Sequence, residues 1–271
     1  EVDASEAARR SAKLLALSRT RSIVKSLWPR SQVKPFGSFV TGLSLPYSDL
    51  DMVICLPKVF KEAPADAPGA LEGRNAIKET WQQNLARGLQ AAGWVDARSI
   101  KIIARTAIPV LKLETRADPD LGLPSVSLDI SFEGPSHHGL DANDMIVALT
   151  RQIPSVRALV LVLKHFLTKR GLCEAFTGGL SSHALFLLVA RFLQEQHCEL
   201  DIGALLLGLL NFYGDHFDPR TTGISVGRRC YFSRQYACAD TAAAGSPGWD
   251  GGSGGVDRRH SFAASRGGAG A

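Results

Sequence analysis

The sequence predicts an α+β protein in which a mixed strand-and-helix unit is followed by an all-helical one. Three observations carry this. Between residues 33 and 132 apolar residues occur in short runs or alternate with polar ones, as in Val126-Ser127-Leu128-Asp129-Ile130-Ser131-Phe132, the period of two expected of strands. From Leu140 onward the apolar spacing changes to the 3.6-residue period of helices. The composition is ordinary for a globular chain of 271 residues, 45% apolar and 21% charged, which excludes a collagen-like, coiled-coil or wholly disordered chain.

Residues 5–28 read as a helix that Ser5 can cap, with Leu14, Leu17, Val24 and Trp28 at helical spacing and Pro29 as its stop. A short apolar segment, 33–36, leads into a Gly37-Ser38 loop with a second glycine at Gly42, and 50–56 reads as a strand. Residues 57–78, rich in Pro, Ala and Gly, read as a surface insertion. A helix over 79–93 carries Trp81, Leu85 and Leu89, and β-rich runs follow at 100–106, 108–115 and 126–132. Helices are predicted over 140–152, 155–170, 181–196 and 202–217; Val156, Leu159, Val160, Leu163 and Leu167 form one apolar face of the second. Residues 239–271 hold nine Gly and eight Ala and read as a disordered tail.

The net charge is +5, but residues 227–271 contribute six Arg against three Asp, which leaves only +2 for residues 1–226. Global charge therefore says little about a polyanionic partner. The five cysteines are widely spaced with no C-x-x-C pair, which argues against a disulfide framework or zinc site and fits a reducing intracellular compartment. His197-Cys198, an adjacent pair of potential metal ligands, reads as surface loop. No run approaches the ~18 to 20 apolar residues of a membrane span, and Glu1-Val2-Asp3 lacks an export-signal pattern, so the expectation is a soluble protein with no membrane partner. Because the chain opens without Met, its natural N-terminus is expected upstream.

The most informative stretch runs from Phe36 to Ile54. Asp49 and Asp51, at the entry of an apolar strand, point to one face about 7 Å apart, a separation suited to gripping two divalent ions ~3.5 to 4 Å apart. Upstream, the backbone N–H groups of Gly37-Ser38 and the Ser38 hydroxyl can approach phosphate oxygens as a nest. In the strand 126–132 the apolar positions face a core and leave Ser127, Asp129 and Ser131 opposite, and an acid at that place needs a partner or a metal. Ser-Asp-Leu-Asp alone reads as turn and strand-edge chemistry. Combined with Gly-Ser and a later strand Asp, it becomes the minimum kit for nucleotidyl transfer.

With these motifs the chain resembles the polymerase sigma-like, PAP-associated-domain poly(A) polymerases of the polymerase beta superfamily. The match is Gly37-Ser38, Asp49-Leu50-Asp51 and Asp129, then Asp141-Ala142-Asn143, the stretch from Leu161 to Leu167, the stretch from Phe176 to His183, and Phe212-Tyr213-Gly214-Asp215-His216-Phe217, from about residue 6 to 235. The resemblance implies a polymerase beta-like palm with a mixed sheet over 29–136 and an all-helical central, substrate-binding domain from 1–28 and 137–235. It implies that Asp49, Asp51 and Asp129 coordinate two Mg²⁺ or Mn²⁺ ions, with Asp129 helping to deprotonate the attacking 3′-hydroxyl. Gly37, Ser38, Lys164 and Ser182 would hold the triphosphate, Asn143 the ribose, and His183 would meet the base where relatives carry Tyr. Lys164 lies off the main apolar face of its helix, and Ser182 lies near a helix N-terminus, which suits anions.

The implied function is template-independent RNA 3′-terminal nucleotidyl transfer, as a poly(A) polymerase using ATP. The implied partners are ATP or another ribonucleoside triphosphate, an RNA 3′ end and a separate RNA-binding subunit. The implied compartment is the nucleus, with the cytoplasm as alternative. Alternatives are a terminal uridylyltransferase, a superfamily enzyme acting on a small hydroxylated acceptor, and a non-catalytic scaffold. The family's Ile-Glu-Asp-Pro-like recognition motif does not follow Tyr231-Phe232-Ser233-Arg234, so the helical domain is expected to be incomplete and to expose apolar surface.

Overall fold

The computed structural model of the chain describes residues 2–57, 80–104, 106, 108–173, 177–196 and 201–234. The expected insertion beyond Pro57, the Gly/Ala-rich tail and His197-Cys198 lie outside the described residues.

Helix α1 (Val2–Leu27) starts ahead of Ser5 and ends just before Pro29. Strand β1 (Gln32–Phe36) follows, then a single helical turn, α2 (Ser38–Thr41), where a loop was expected. Strand β2 (Leu50–Cys55) precedes α3 (Trp81–Gln90), which Thr80 opens with a reciprocal capping box to Gln83. Strands β3 (Lys101–Ile103), β4 (Val110–Glu114) and β5 (Ser127–Phe132) are shorter than their β-rich runs, since only the paired residues can satisfy backbone groups in a ladder. The sheet order is β1-β2-β5-β4-β3; β2 and β5 are parallel and every other neighbouring pair is antiparallel.

Alternation gives this sheet two faces. Leu50, Met52, Ile54, Leu111, Leu113, Leu128 and Ile130 point into a core closed by Leu85 and Leu89 of α3 and by Ala12, Ala16, Leu17, Val24 and Trp28 along one stripe of α1. Chain order leaves open which core α1 meets, and its buried stripe packs on the sheet.

The second core is helical. Helices α4 (Gly139–Gln152), α5 (Ser155–Lys169), α6 (Ser182–Leu193) and α7 (Ile202–Asn211) bury Ile146, Val156, Leu159, Phe186, Val189 and Leu205 together. Leu43, from the loop after α2, is buried in this second core and ties the two units together. The predicted helix over 202–217 stops early: α7 passes into a π turn, Phe212–His216, whose Phe212 ring packs on Phe192, Phe217 and Tyr231. A hairpin of β6 (Thr222–Ser225) and β7 (Cys230–Ser233), unforeseen in the sequence, closes against α6 through Gln194 Nε2 donating to the Val226 carbonyl at 3.0 Å.

Candidate active site

The parallel pairing of β2 with β5 sets Asp51 directly beside Asp129. The flanking registers extend the row across the whole sheet, from Phe36 through Asp51, Asp129 and Lys112 to Lys101. Because residues in register share a face, this row lies opposite the α1–α3 core. Asp49 sits just ahead of β2, two residues from Asp51 and so on the same side.

Gly37 explains why the turn beside this row is built as it is. Its backbone (φ 70, ψ −149) lies in a region open essentially to glycine alone, and a Cβ there would stand 2.5 Å from Asp51 Oδ2. The Gly37 N–H donates to Asn143 Oδ1 at 2.9 Å, and its carbonyl accepts from the Val40 and Thr41 N–H groups of α2. One donor of the phosphate nest read from the sequence is therefore engaged by Asn143, which is buried on α4 and fastens the helical unit to the turn.

Charge is concentrated here. Burial, and then the neighbouring Asp129 and Asp49 carboxylates, push the Asp51 carboxyl up to about 7. Lys112 Nζ lies 2.5 Å from Asp129 Oδ2 and 3.9 Å from Asp49 Oδ2. Lys164 Nζ donates to the Leu43 carbonyl at 3.3 Å; burial lowers its pKa, while Asp51 and Asp49 act in the opposite sense. Lys13, only 4% exposed on α1, donates to Ser44 Oγ at 3.2 Å and is likewise lowered first by burial. Two lysines from different helices thus grip consecutive residues of the loop between α2 and β2.

A cavity of about 580 Å³ opens between the sheet and the helical unit. Gly37, Ser38, Asp49, Asp51, Asn143, Lys164, Ser182 and His183 all line it. Asp129 is the one sequence-predicted site residue outside this lining; it stands next to Asp51 in the sheet, in contact with Lys112. Ser182 and His183 open α6, where Ser181 Oγ accepts the Ala184 N–H as cap. Lys112, Lys13 and Tyr47 were missed from the sequence. Tyr47 lines the cavity, and its Oη is 2.9 Å from His165 Nδ1, joining the loop before Asp49 to α5. Alternation in β4 does put Lys112 opposite Leu111 and Leu113; that it faces Asp129 follows only from strand pairing.

The acids suit a divalent cation by donor chemistry. They offer hard carboxylate oxygens; burial and then their mutual repulsion raise Asp51, and a cation would relieve that repulsion. Among the described residues no three acidic, imidazole or thiol groups are yet drawn into a closed metal cage.

Residues 3–149, running from α1 into α4, match the family described as poly(A) RNA polymerase, mitochondrial-like, central palm domain, and residues 201–244 match the Cid1 family poly A polymerase model. Poly(A) RNA polymerase CID14 of Cryptococcus neoformans is 31% identical over 224 residues, covering 79% of this chain and 26% of that protein. Trf4-2 of Drosophila melanogaster, described as an inactive poly(A) RNA polymerase protein, is 32% identical over 225 residues, covering 78% of this chain and 48% of that one. The chain thus spans between a quarter and a half of these relatives. Among solved structures, the polymerase core of TRAMP, an RNA surveillance complex, superposes with a TM-score of 0.63 at 26% identity, over 85% of this chain and 67% of the other. The Cid1 poly(U) polymerase has the same fold, with a TM-score of 0.63 at 20% identity over 85% of this chain and 75% of the other.

Proposed function

Because the chain belongs to the family of poly(A) RNA polymerase central palm domains, we propose that it is the catalytic core of a template-independent RNA 3′-terminal nucleotidyltransferase that adds AMP from ATP. One observation carries the reading. A single cavity, within the ~300 to 1,000 Å³ range of small-molecule sites, is walled on one side by Gly37, Ser38, Asp49 and Asp51 and on the other by Asn143, Lys164, Ser182 and His183.

In this reading the palm comprises α1 with residues 29–136, and the helical domain begins at 137. Asp49, Asp51 and Asp129 would hold two Mg²⁺ or Mn²⁺ ions, which would supply positive charge for ionising the RNA 3′-hydroxyl and for offsetting that of the departing pyrophosphate. Lys164 and the hydroxyls of Ser38 and Ser182 bind the triphosphate, Asn143 orients the turn and the ribose, and His183 stacks on the base. The Asp129 carboxylate helps take the proton of the 3′-hydroxyl as its oxygen attacks the α-phosphorus and the bond to pyrophosphate breaks. The low net charge of residues 1–226 supports delivery of RNA by a separate subunit, and likeness to the TRAMP polymerase core supports RNA surveillance as the setting.

The test is extension of a labelled single-stranded RNA with Mg²⁺ or Mn²⁺ and each ribonucleoside triphosphate in turn. The expected result is a ladder with ATP that Asp49→Ala/Asp51→Ala abolishes; a ladder with UTP alone would make the chain a uridylyltransferase. The likeness to Trf4-2, described as inactive, favours a second reading, a nucleotide-binding scaffold. Its signature is metal-dependent nucleotide binding with no extension by any triphosphate.

A further inference from the structure

On the face that carries the acids, the cross-strand row passes without a break from two carboxylates to two ammonium groups: Asp51, Asp129, Lys112, Lys101. Lys112 Nζ makes a 2.5 Å contact with Asp129 Oδ2 and stands 3.9 Å from Asp49 Oδ2. Its neighbour on the other side is Lys101, whose like charge biases the Lys112 ammonium toward the acids. We propose that Lys112 is a displaceable internal counter-ion, whose ammonium occupies Asp129 Oδ2 in the metal-free protein and competes with a divalent cation for that oxygen.

The inference rests on reading Asp49, Asp51 and Asp129 as cation ligands, and it adds what that reading leaves out. An oxygen 2.5 Å from an ammonium is engaged in a charge-assisted hydrogen bond, and a divalent cation cannot approach the same oxygen without repelling that ammonium. The Lys112 ammonium can also be displaced. Its side chain is 44% exposed, on a flexible four-carbon stem whose charged end is readily rehydrated. Lys112 therefore acts in two opposed directions: it stabilises the acids while no metal is bound, and it raises the cation concentration at which they load. Lys112 is in this sense a positioning residue for cation loading.

The experiment is isothermal titration of the full chain with Mn²⁺ in the absence of nucleotide, comparing wild type, Lys112→Met, Lys112→Gln, Lys112→Arg and Asp129→Asn. The expected result is Mn²⁺ binding about fivefold tighter in Lys112→Met and Lys112→Gln, the scale of one half-exposed charge pair, and no gain in Lys112→Arg. The gain should vanish when Asp129→Asn is added and should shrink as salt is raised, because ions screen the pair. Using two neutral variants keeps the test valid if one of them misfolds. Wild-type binding that neither neutral variant strengthens overturns the counter-ion role and leaves the cation reading intact. Absence of Mn²⁺ binding in wild type and in every Lys112 variant overturns both. Binding that emerges only when Lys112 is neutralised supports the counter-ion role most strongly.

Discussion

A methyl group on Gly37 would meet Asp51 Oδ2 at 2.5 Å, in a backbone conformation that other residues avoid. Gly37→Ala should therefore cost about 3 kcal/mol in chemical denaturation and displace an acid of the site at the same time; a variant as stable as wild type would contradict the geometry. Asp51 makes a second prediction. Its folded pKa, about 7, lies above that of an unfolded aspartate, so its contribution to stability is fully present below about pH 4 and is lost as pH rises through 7. In the presence of a chelator, wild type should lose stability relative to Asp51→Asn across that window, on the order of 4 kcal/mol in full. Parallel pH profiles for the two proteins would count against the burial of Asp51 beside two other carboxylates. At this scale much was legible: the Gly-Ser and Asp-x-Asp spacing and the alternation around Asp129 pointed to one site. Lys112 and Lys13 were not legible, because their contacts with Asp129 and Ser44 depend on pairings 17 and 31 residues apart in sequence.

Among elements, the hairpin of β6 and β7 is the part that local sequence did not reveal. Its strands are four residues each, too short for a period of two to stand out. What anchors it is tertiary: the Arg191 guanidinium, 2% exposed, stacks 4.3 Å from the centre of the Tyr231 ring and pairs with Glu195. Among the described residues Arg191 Nε and Nη1 have no hydrogen-bond partner, so the aromatic face is an important compensation for that buried charge. Tyr231→Ala should thus destabilise the chain by about 3 kcal/mol, read from the denaturant midpoint, and Tyr231→Phe by much less. Equal losses in the two variants would instead assign the effect to the hydroxyl. Helix α1 teaches the complementary point. Its existence was plain from the spacing of Leu17, Val24 and Trp28, whereas its attachment to the sheet was not, since an apolar stripe does not name the surface it will cover.

Over the whole molecule, two cores enclose one cleft. The sheet core holds the acids in register, the helical core carries Asn143, Lys164, Ser182 and His183, and Leu43, Asn143 and Lys164 fasten the one to the other at the turn after β1. The change of apolar period near residue 140 foretold the two units, and the motif order foretold which residues would meet between them. If the cleft holds a nucleotide, as proposed, division of the site across two cores requires that it be gripped from both sides. The measurement that tests this most directly is Mn²⁺-dependent binding of an ATP analogue that cannot be turned over, in wild type, in Asp51→Asn on the sheet wall and in Lys164→Met on the helical wall. Binding in wild type that weakens at least tenfold in each variant, about 1.4 kcal/mol, is the result expected if the cleft holds the triphosphate. Wild-type affinity retained in both variants would contradict it and place the nucleotide elsewhere.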